Sequence, residues 1–259
     1  MNILVLIKMV PDIVEELEIG PDAKSLDFDA VRPFISERYE HALEQALLLK
    51  ERCGGTVTAV AIDSPGSDDV LFSALAKGCD RAVKLTGLEM GLGTHGAAAC
   101  FAEALGRGPG LWPADLVLTG VQAIDDLDGL LAPLVAEWLR LPYLGIVSGI
   151  AMGADGKTAV VGKEYPSGVR GKFEVPLPAV LGIQASEKPP RYVPVARVRA
   201  IMKAQKIDSV ATSAERELGG IEVLELAKPE ATGRAEFLEG TPEEVADQLC
   251  EILAKQGVL

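Results

Sequence analysis

The chain has 259 residues, 48% of them hydrophobic but only 5% aromatic, and a formal net charge of −13. That length and apolar content predict one large α/β domain, or one with an appendage, around a core of Ala, Val, Leu and Ile. The acidic balance argues against nucleic acid and anionic membranes as partners, because both reward basic surfaces.

In chain order, "NILVLIK" (2–8) is a continuous apolar run, the pattern of a strand buried on both faces. With a lysine inside it and no small-residue cleavage site, it reads as a strand and not as a signal peptide. "SERYEHALEQALLLKE" (36–51) predicts a helix capped by Ser36, with Leu43, Ala46, Leu47 and Lys50 on one face. "TVTAVAI" (56–62), "RAVKL" (81–85) and "ADLVLTG" (114–120) predict further strands. "SDDVLFSALAKG" (67–78), "THGAAACFAEALG" (94–106) and a segment ending near Arg140 predict the alternating helices. Such alternation implies right-handed crossovers and a parallel sheet covered on both faces.

After Tyr143 the pattern changes. "LGIVSGIAM", "KTAVVGKEY", "VRGKFEV" and "PAVLGI" read as strands separated by turns, with "ADGK" (154–157) as a hairpin signal. "EKPPRYVPV" (187–195) has too many prolines for regular structure. The segment from about 206 to 240 is polar. "TPEEVADQLCEILAKQG" (241–257) then predicts a terminal helix with Thr241 at the N-cap, Pro242 at its first position and Glu244 closing a capping box. A polar stretch before a well-capped helix suggests an arm that docks on another surface, a second subunit being one option. No stretch approaches the roughly 20 apolar residues that span a bilayer, so a cytoplasmic location is expected.

Cys53, Cys79, Cys100 and Cys250 are scattered without a C-x-x-C pair, and His41 and His95 are the two histidines. Neither a disulfide framework nor a zinc site is predicted. "GLGTHG" (91–96) fits G-x-G-x-x-G, but it lies several residues beyond its strand and in the third unit, so a Gly-rich connection is the expectation. In "VQAIDDLDGLLAP" (121–133), Asp125, Asp126 and Asp128 crowd the turn between a strand and a helix. A calcium loop lacks its first Asp and closing Glu, and acid–base chemistry lacks a neighbouring His, Lys or nucleophile. Two readings stand: helix capping alone, or a ligand loop at the carboxyl edge of a parallel sheet. "PPRYVPVARVRAIMKAQKI" (189–207) sets Tyr192 and several valines among Arg191, Arg197, Arg199, Lys203 and Lys206. Apolar anchors ringed by cations describe a protein-docking loop, against an ordinary crossover with solvated basic residues.

Taken together, "ILVLIKMVPD", "AVAIDSPGSDDVLFSALAKGCDRAVKL", "DLVLTGVQAIDD" and "PAVLGIQASEKPPRYVPVARVRAIMKA" resemble the β subunit of electron-transfer flavoprotein over nearly the whole chain. The resemblance implies an α/β fold of the adenine-nucleotide hydrolase-like kind, with antiparallel additions. It divides the chain into a nucleotide-binding-like domain, 1–205, that includes a recognition loop at 187–205, and an arm, 206–259, that docks on an obligate α subunit. It implies an electron carrier and not an enzyme, with one FAD per heterodimer held mainly by the α subunit. Electrons would pass from acyl-CoA dehydrogenase-type flavoenzymes, as in fatty acid oxidation, to a quinone oxidoreductase.

By position, the resemblance assigns Leu6, Ser36, Glu37, Arg38, Tyr39 and Ile62 to an AMP pocket, with Gly120, Gln122, Ala123, Ile124, Asp125, Asp126, Asp128, Gly129, Leu130 and Leu131 forming its loop. Asp12 and Ile13 would approach the flavin ring. The docking set would be Arg191, Tyr192, Val195, Val198, Ile201, Met202 and Lys203, with the aliphatic anchor at Val195 or Val198. The chain departs from the family at Gly129, Leu130 and Leu131, which replace polar phosphate donors, and at Asp128, which adds a charge. One like charge about 4–5 Å from a phosphate costs up to roughly 4 kcal/mol at an effective dielectric of 20. AMP is therefore expected to be weakly bound or absent. A bifurcating relative would carry a second FAD in this pocket on a "DGDTAQ"-like loop, a string this chain lacks. The competing reading is a free-standing nucleotide-binding regulator; a nicotinamide dehydrogenase would rest on "GLGTHG" alone.

Overall fold

The computed structural model describes residues 1–27, 31, 33–87, 92–108, 110–212, 222–229, 235 and 237–258. Its contacts divide into two compact units, Met1–Leu226 and Ala227–Leu259. In the first, β1 (Asn2–Ile7) is followed by a short antiparallel pair, β2 (Met9–Pro11) and β3 (Pro33–Ile35). Then come α1 (Glu37–Cys53), β4 (Thr56–Ile62), α2 (Ser67–Lys77), β5 (Arg81–Thr86), α3 (Thr94–Arg107), β6 (Leu116–Gly120) and α4 (Leu131–Leu139). The later elements are β7 (Tyr143–Met152), β8 (Thr158–Glu164), β9 (Arg170–Pro176), β10 (Ala179–Ile183), α5 (Val195–Ala204) and β11 (Asp208–Ala211).

One nine-stranded sheet runs in the order β11-β5-β4-β1-β6-β10-β7-β8-β9. It is parallel from β11 through β7, and β8 and β9 extend it as antiparallel hairpin strands. The expected mostly parallel sheet with antiparallel additions is therefore the architecture present.

The period-2 alternation of strand side chains explains why β1 is apolar throughout. Ile3, Val5 and Ile7 enter one core with Leu43, Ala46 and Leu47 of α1 and Leu71 and Leu75 of α2. Leu4 and Leu6 enter the opposite core with Phe101 and Leu105 of α3 and Leu131 and Val135 of α4. Cys79 and Cys100 are buried as small hydrophobes, and burial pushes the Cys79 thiol up to about 12.

Two differences from the sequence reading matter for function. The stretch 187–205, expected as a loop, is irregular only as far as Pro194, and Val195–Ala204 is helical. Pro194 stands at the N-cap, where its missing N–H costs nothing, and the apolar residues 195, 198, 201 and 202 follow a helical period. The domain boundary expected at 205/206 also falls too early. Asp208–Ala211 pairs with Val83–Thr86 as the edge strand of the sheet, and the break in contacts follows Leu226.

The second unit contains α6 (Pro242–Lys255). The Thr241 hydroxyl accepts from Glu244 N at 3.3 Å and the Glu244 carboxylate from Thr241 N at 2.8 Å, the predicted capping box. Leu249 and Ile252 are exposed on it. No described helix is long and apolar enough to cross a membrane.

Candidate functional site

The sequence runs outward from β1 in both directions across the sheet, to β4 and β5 on one side and β6 on the other, so a topological switch lies between β1 and β6. Ligands of open α/β sheets bind at the carboxyl ends of such strands. Here those ends carry Lys8 after β1, Asp63–Pro65 after β4, and the 121–130 loop after β6. They border a cavity of about 260 Å³. Ile7, Val10, Ile62, Phe101 and Leu131 form apolar walls, and Lys8, Asp63, Thr94, Asp125 and Asp126 supply polar atoms.

The β6–α4 loop is shaped by its own aspartates. Asp126 Oδ1 accepts from Ala123 N at 3.0 Å, and Leu127 N reaches Ala123 O at 3.0 Å. Asp128 Oδ1 accepts from Leu130 N at 2.9 Å. Leu127 and Gly129 both take left-handed backbone, at φ 48° and 63°. Asp128 therefore holds the residue that precedes α4, and α4 itself has no side-chain cap and no acidic residue in its first turn.

Lys8 is the residue the sequence reading missed. Its Nζ lies 2.8 Å from Asp125 Oδ1 and 2.6 Å from Asp126 Oδ2. The Asp126 carboxylate is only 8% exposed, and the Lys8 ammonium and the Ala123 N–H compensate it. The lysine ending an apolar strand was visible in sequence, but its partners lie more than a hundred residues away. Among the described residues, no three His, Cys, Asp or Glu side chains converge as metal ligands.

Beneath this network lies Tyr39, fully buried in α1. It presses on the end of β6 so closely that a Cβ at Gly120 would stand 2.4 Å from the Tyr39 ring and 2.8 Å from its backbone N, so only glycine fits. Among the described residues the Tyr39 hydroxyl has no hydrogen-bond partner, and burial, with the charges of Asp126, Asp125 and Asp128 added, pushes its pKa well above the usual phenol value.

Of the residues assigned to the nucleotide pocket, Ile62, Asp125, Asp126 and Leu131 line the cavity. Leu6, Ser36, Tyr39 and Ala123 are buried, and Gln122, Ile124, Asp128, Gly129 and Leu130 belong to the loop outside the lining. Glu37 and Arg38 turn away: Arg38 Nη1 donates to Gln184 O at 2.9 Å and lies 3.7 Å from Glu37. The loop does not fit a phosphate dianion. Its side chains offer carboxylates, and Lys8 is shared between two of them. The N-terminus of α3, at Thr94, opens on the same cavity. In "GLGTHG", Gly91 lies outside the described residues, Gly93 has φ −66° with open space about its Cβ position among the described residues, and a Cβ at Gly96 would meet only the Leu92 side chain, at 2.9 Å.

The turn after β2 presents Ile13 and Val14 to solvent, 62% and 91% exposed. Asp12 shapes it, its Oδ1 accepting from Val14 N at 3.0 Å and its O from Glu15 N at 3.3 Å. In the docking set, Tyr192, Val195, Met202 and Lys203 are exposed, whereas Val198 and Ile201 are half-buried and Ile201 packs against the core. Arg191, expected at the docking surface, instead turns inward to Glu44 and Glu51.

Comparison with known proteins agrees with this frame. Residues 30–215 match the electron transfer flavoprotein domain family. The chain is 31% identical to the electron transfer flavoprotein subunit beta of Syntrophomonas wolfei over 97% of its length and 95% of that protein's. It is 29% identical to the Bacillus subtilis subunit beta over 99% of both chains, and 31% identical to that of Mycobacterium leprae over 93% and 88%. The chain belongs to the electron transfer flavoprotein family, a class of electron carriers. Within it, the similarity is to the β subunit.

Proposed function

We propose that this chain pairs with an α subunit that holds most of one FAD, takes electrons from an acyl-CoA dehydrogenase-type flavoenzyme, and passes them to a quinone oxidoreductase. The observation that carries the reading is α5. There Val195 is 60% exposed, beside exposed Tyr192 and Met202, with Arg197, Arg199, Lys203 and Lys206 around them, on a chain of net charge −13. An aliphatic anchor inside a cationic rim suits an acidic partner surface with an apolar pocket, and the rim charges steer encounter. Of the two candidate valines, exposure favours Val195.

When bound, the flavin supplies the electron-accepting and electron-donating chemistry. The protein's part is to cover and to dock. Ile13 and Val14 would shield one edge of the ring from water, with Asp12 fixing their turn. The arm with α6 would hold the α subunit through its exposed apolar residues.

The 121–131 loop lacks the "DGDTAQ"-like string of a bifurcating relative, which supports a single flavin per heterodimer and a non-bifurcating carrier. The acidic loop supports the view that AMP is weakly bound or absent. Acid extraction of the purified heterodimer, followed by chromatography, should give one FAD and less than a tenth equivalent of AMP. One AMP per FAD would remove the AMP reading; two FAD, or NADH oxidation coupled to ferredoxin reduction, would remove the non-bifurcating one. The carrier role is tested by anaerobic reduction of the heterodimer with an acyl-CoA dehydrogenase and its substrate. Flavin bleaching within seconds supports it, and an inert flavin contradicts it.

A further inference from the structure

The segment 184–191 runs from β10 to the docking helix along one side of α1, and α1 binds it at successive turns. His41 Nδ1 lies 2.8 Å from Ser186 Oγ. Gln45 Nε2 and Arg52 Nη2 both donate to Glu187 Oε1, at 3.0 and 2.9 Å. The last and strongest tie is at Arg191. Its N donates to Glu44 Oε2 at 3.0 Å, its Nε to the same oxygen at 2.9 Å, its Nη2 to Glu44 Oε1 at 2.8 Å and its Nη1 to Glu51 at 2.7 Å. Glu44 is 4% exposed, so this carboxylate is tolerated in the core only with its guanidinium in place.

The helix that follows has no buried residue and leans on α2. Ten residues are too few to make a stable helix alone. Its far end is held by Ile207, which packs on the core, and by β11. Its near end, four residues after Arg191, is held by the Arg191 fork.

We propose that the buried Glu44–Arg191 pair is a positioning device that fixes the near end of α5, so that Val195 and Met202 meet the electron-donating flavoenzyme in one preset orientation. The proposal rests on the reading of α5 as the docking element. Rigid anchors bind more tightly because less conformational freedom is lost on association. The fork geometry is what positions, so lysine at 191 is not a conservative change.

The test uses the intact heterodimer with an acyl-CoA dehydrogenase as donor. In Arg191→Met, amide exchange in Val195–Ala204 should rise at least tenfold while the cores of β1, β4 and β6 stay protected. The KM of the dehydrogenase for the carrier should rise at least fivefold with kcat within a factor of two. Arg191→Lys should keep the charge and still raise KM about threefold. Pairing Arg191→Met with Glu44→Gln removes the unpaired buried charge. It should restore the melting midpoint but not the KM, which a merely stabilising pair would restore as well. Exchange in α5 rising no more than in the core, or a KM that returns to wild type in the double variant, would overturn the proposal. Val195→Ala serves as the separate control: an unchanged KM there would remove the docking reading, and the exchange result alone would then decide for or against the clamp.

Discussion

Lys8→Met removes the cation shared by Asp125 and Asp126. Its Nζ contacts them at 2.8 and 2.6 Å, where each attraction is about 6 kcal/mol gross at an effective dielectric of 20. Most of that is offset by desolvation and by mutual repulsion of the carboxylates, and breaking a buried pair typically costs about 3–5 kcal/mol. The Lys8 side chain is 25% exposed and Asp125 38%, so water screens part of the loss; Asp126, at 8%, is not so relieved. The net is about 2–3 kcal/mol, which for a chain of this size lowers the melting midpoint by about 4–12 °C. The assay is thermal unfolding of the heterodimer for wild type, Lys8→Met, Asp126→Asn and the double variant. The cycle should show a coupling of at least ~1 kcal/mol, because removing both partners removes the uncompensated charge. A midpoint within 1 °C of wild type, or purely additive effects, would refute the claim that the network holds the β1 and β6 ends together.

Tyr39→Phe removes a buried hydroxyl that has no partner among the described residues and should leave stability unchanged or raise it by up to about 1 kcal/mol; a loss greater than that in urea titrations would mean the hydroxyl is satisfied. Val195→Ala should slow reduction by the dehydrogenase about three- to tenfold in stopped-flow traces with the flavin spectrum intact. Val198→Ala should chiefly lower the melting point, and the reverse pattern would exchange their roles. The pH dependence of the Glu44 pair also has a defined sign. Burial raises the Glu44 pKa, but the hydrogen bonds and charge of Arg191 outweigh it and hold the carboxyl below its usual 4.5. Its stabilising effect is therefore complete above about pH 4.5 and is lost as pH falls through the lowered value. The difference in melting midpoint between wild type and Glu44→Gln should be constant from pH 5 to 8 and shrink below 4.5; a difference that widens on acidification would contradict this.

Much of the fold was legible because its signals are local. The run 2–8 is apolar on both faces since both faces of β1 are covered, and Thr241, Pro242 and Glu244 declare a helix start within four residues. The 195–204 helix was obscured by Pro189, Pro190 and Pro194, although the last of these opens the helix and does not break it. Asp208–Ala211 was missed because four residues paired across the sheet carry no periodicity of their own. At the site, the strand–turn–helix course of 116–139 was visible from the aspartates and the apolar runs around them. Lys8 and Arg191 were misjudged for one reason. A cation's role depends on carboxylates 118 and 147 positions away, and only the folded sheet and α1 bring them together.

The proposed role as half of a flavin carrier is open to a direct check by native mass spectrometry after co-expression with an electron-transfer flavoprotein α subunit. A 1:1 heterodimer carrying one FAD is expected, with no flavin on this chain when it is expressed alone. A monomer or homodimer that ignores the α subunit, or that carries flavin by itself, would contradict it.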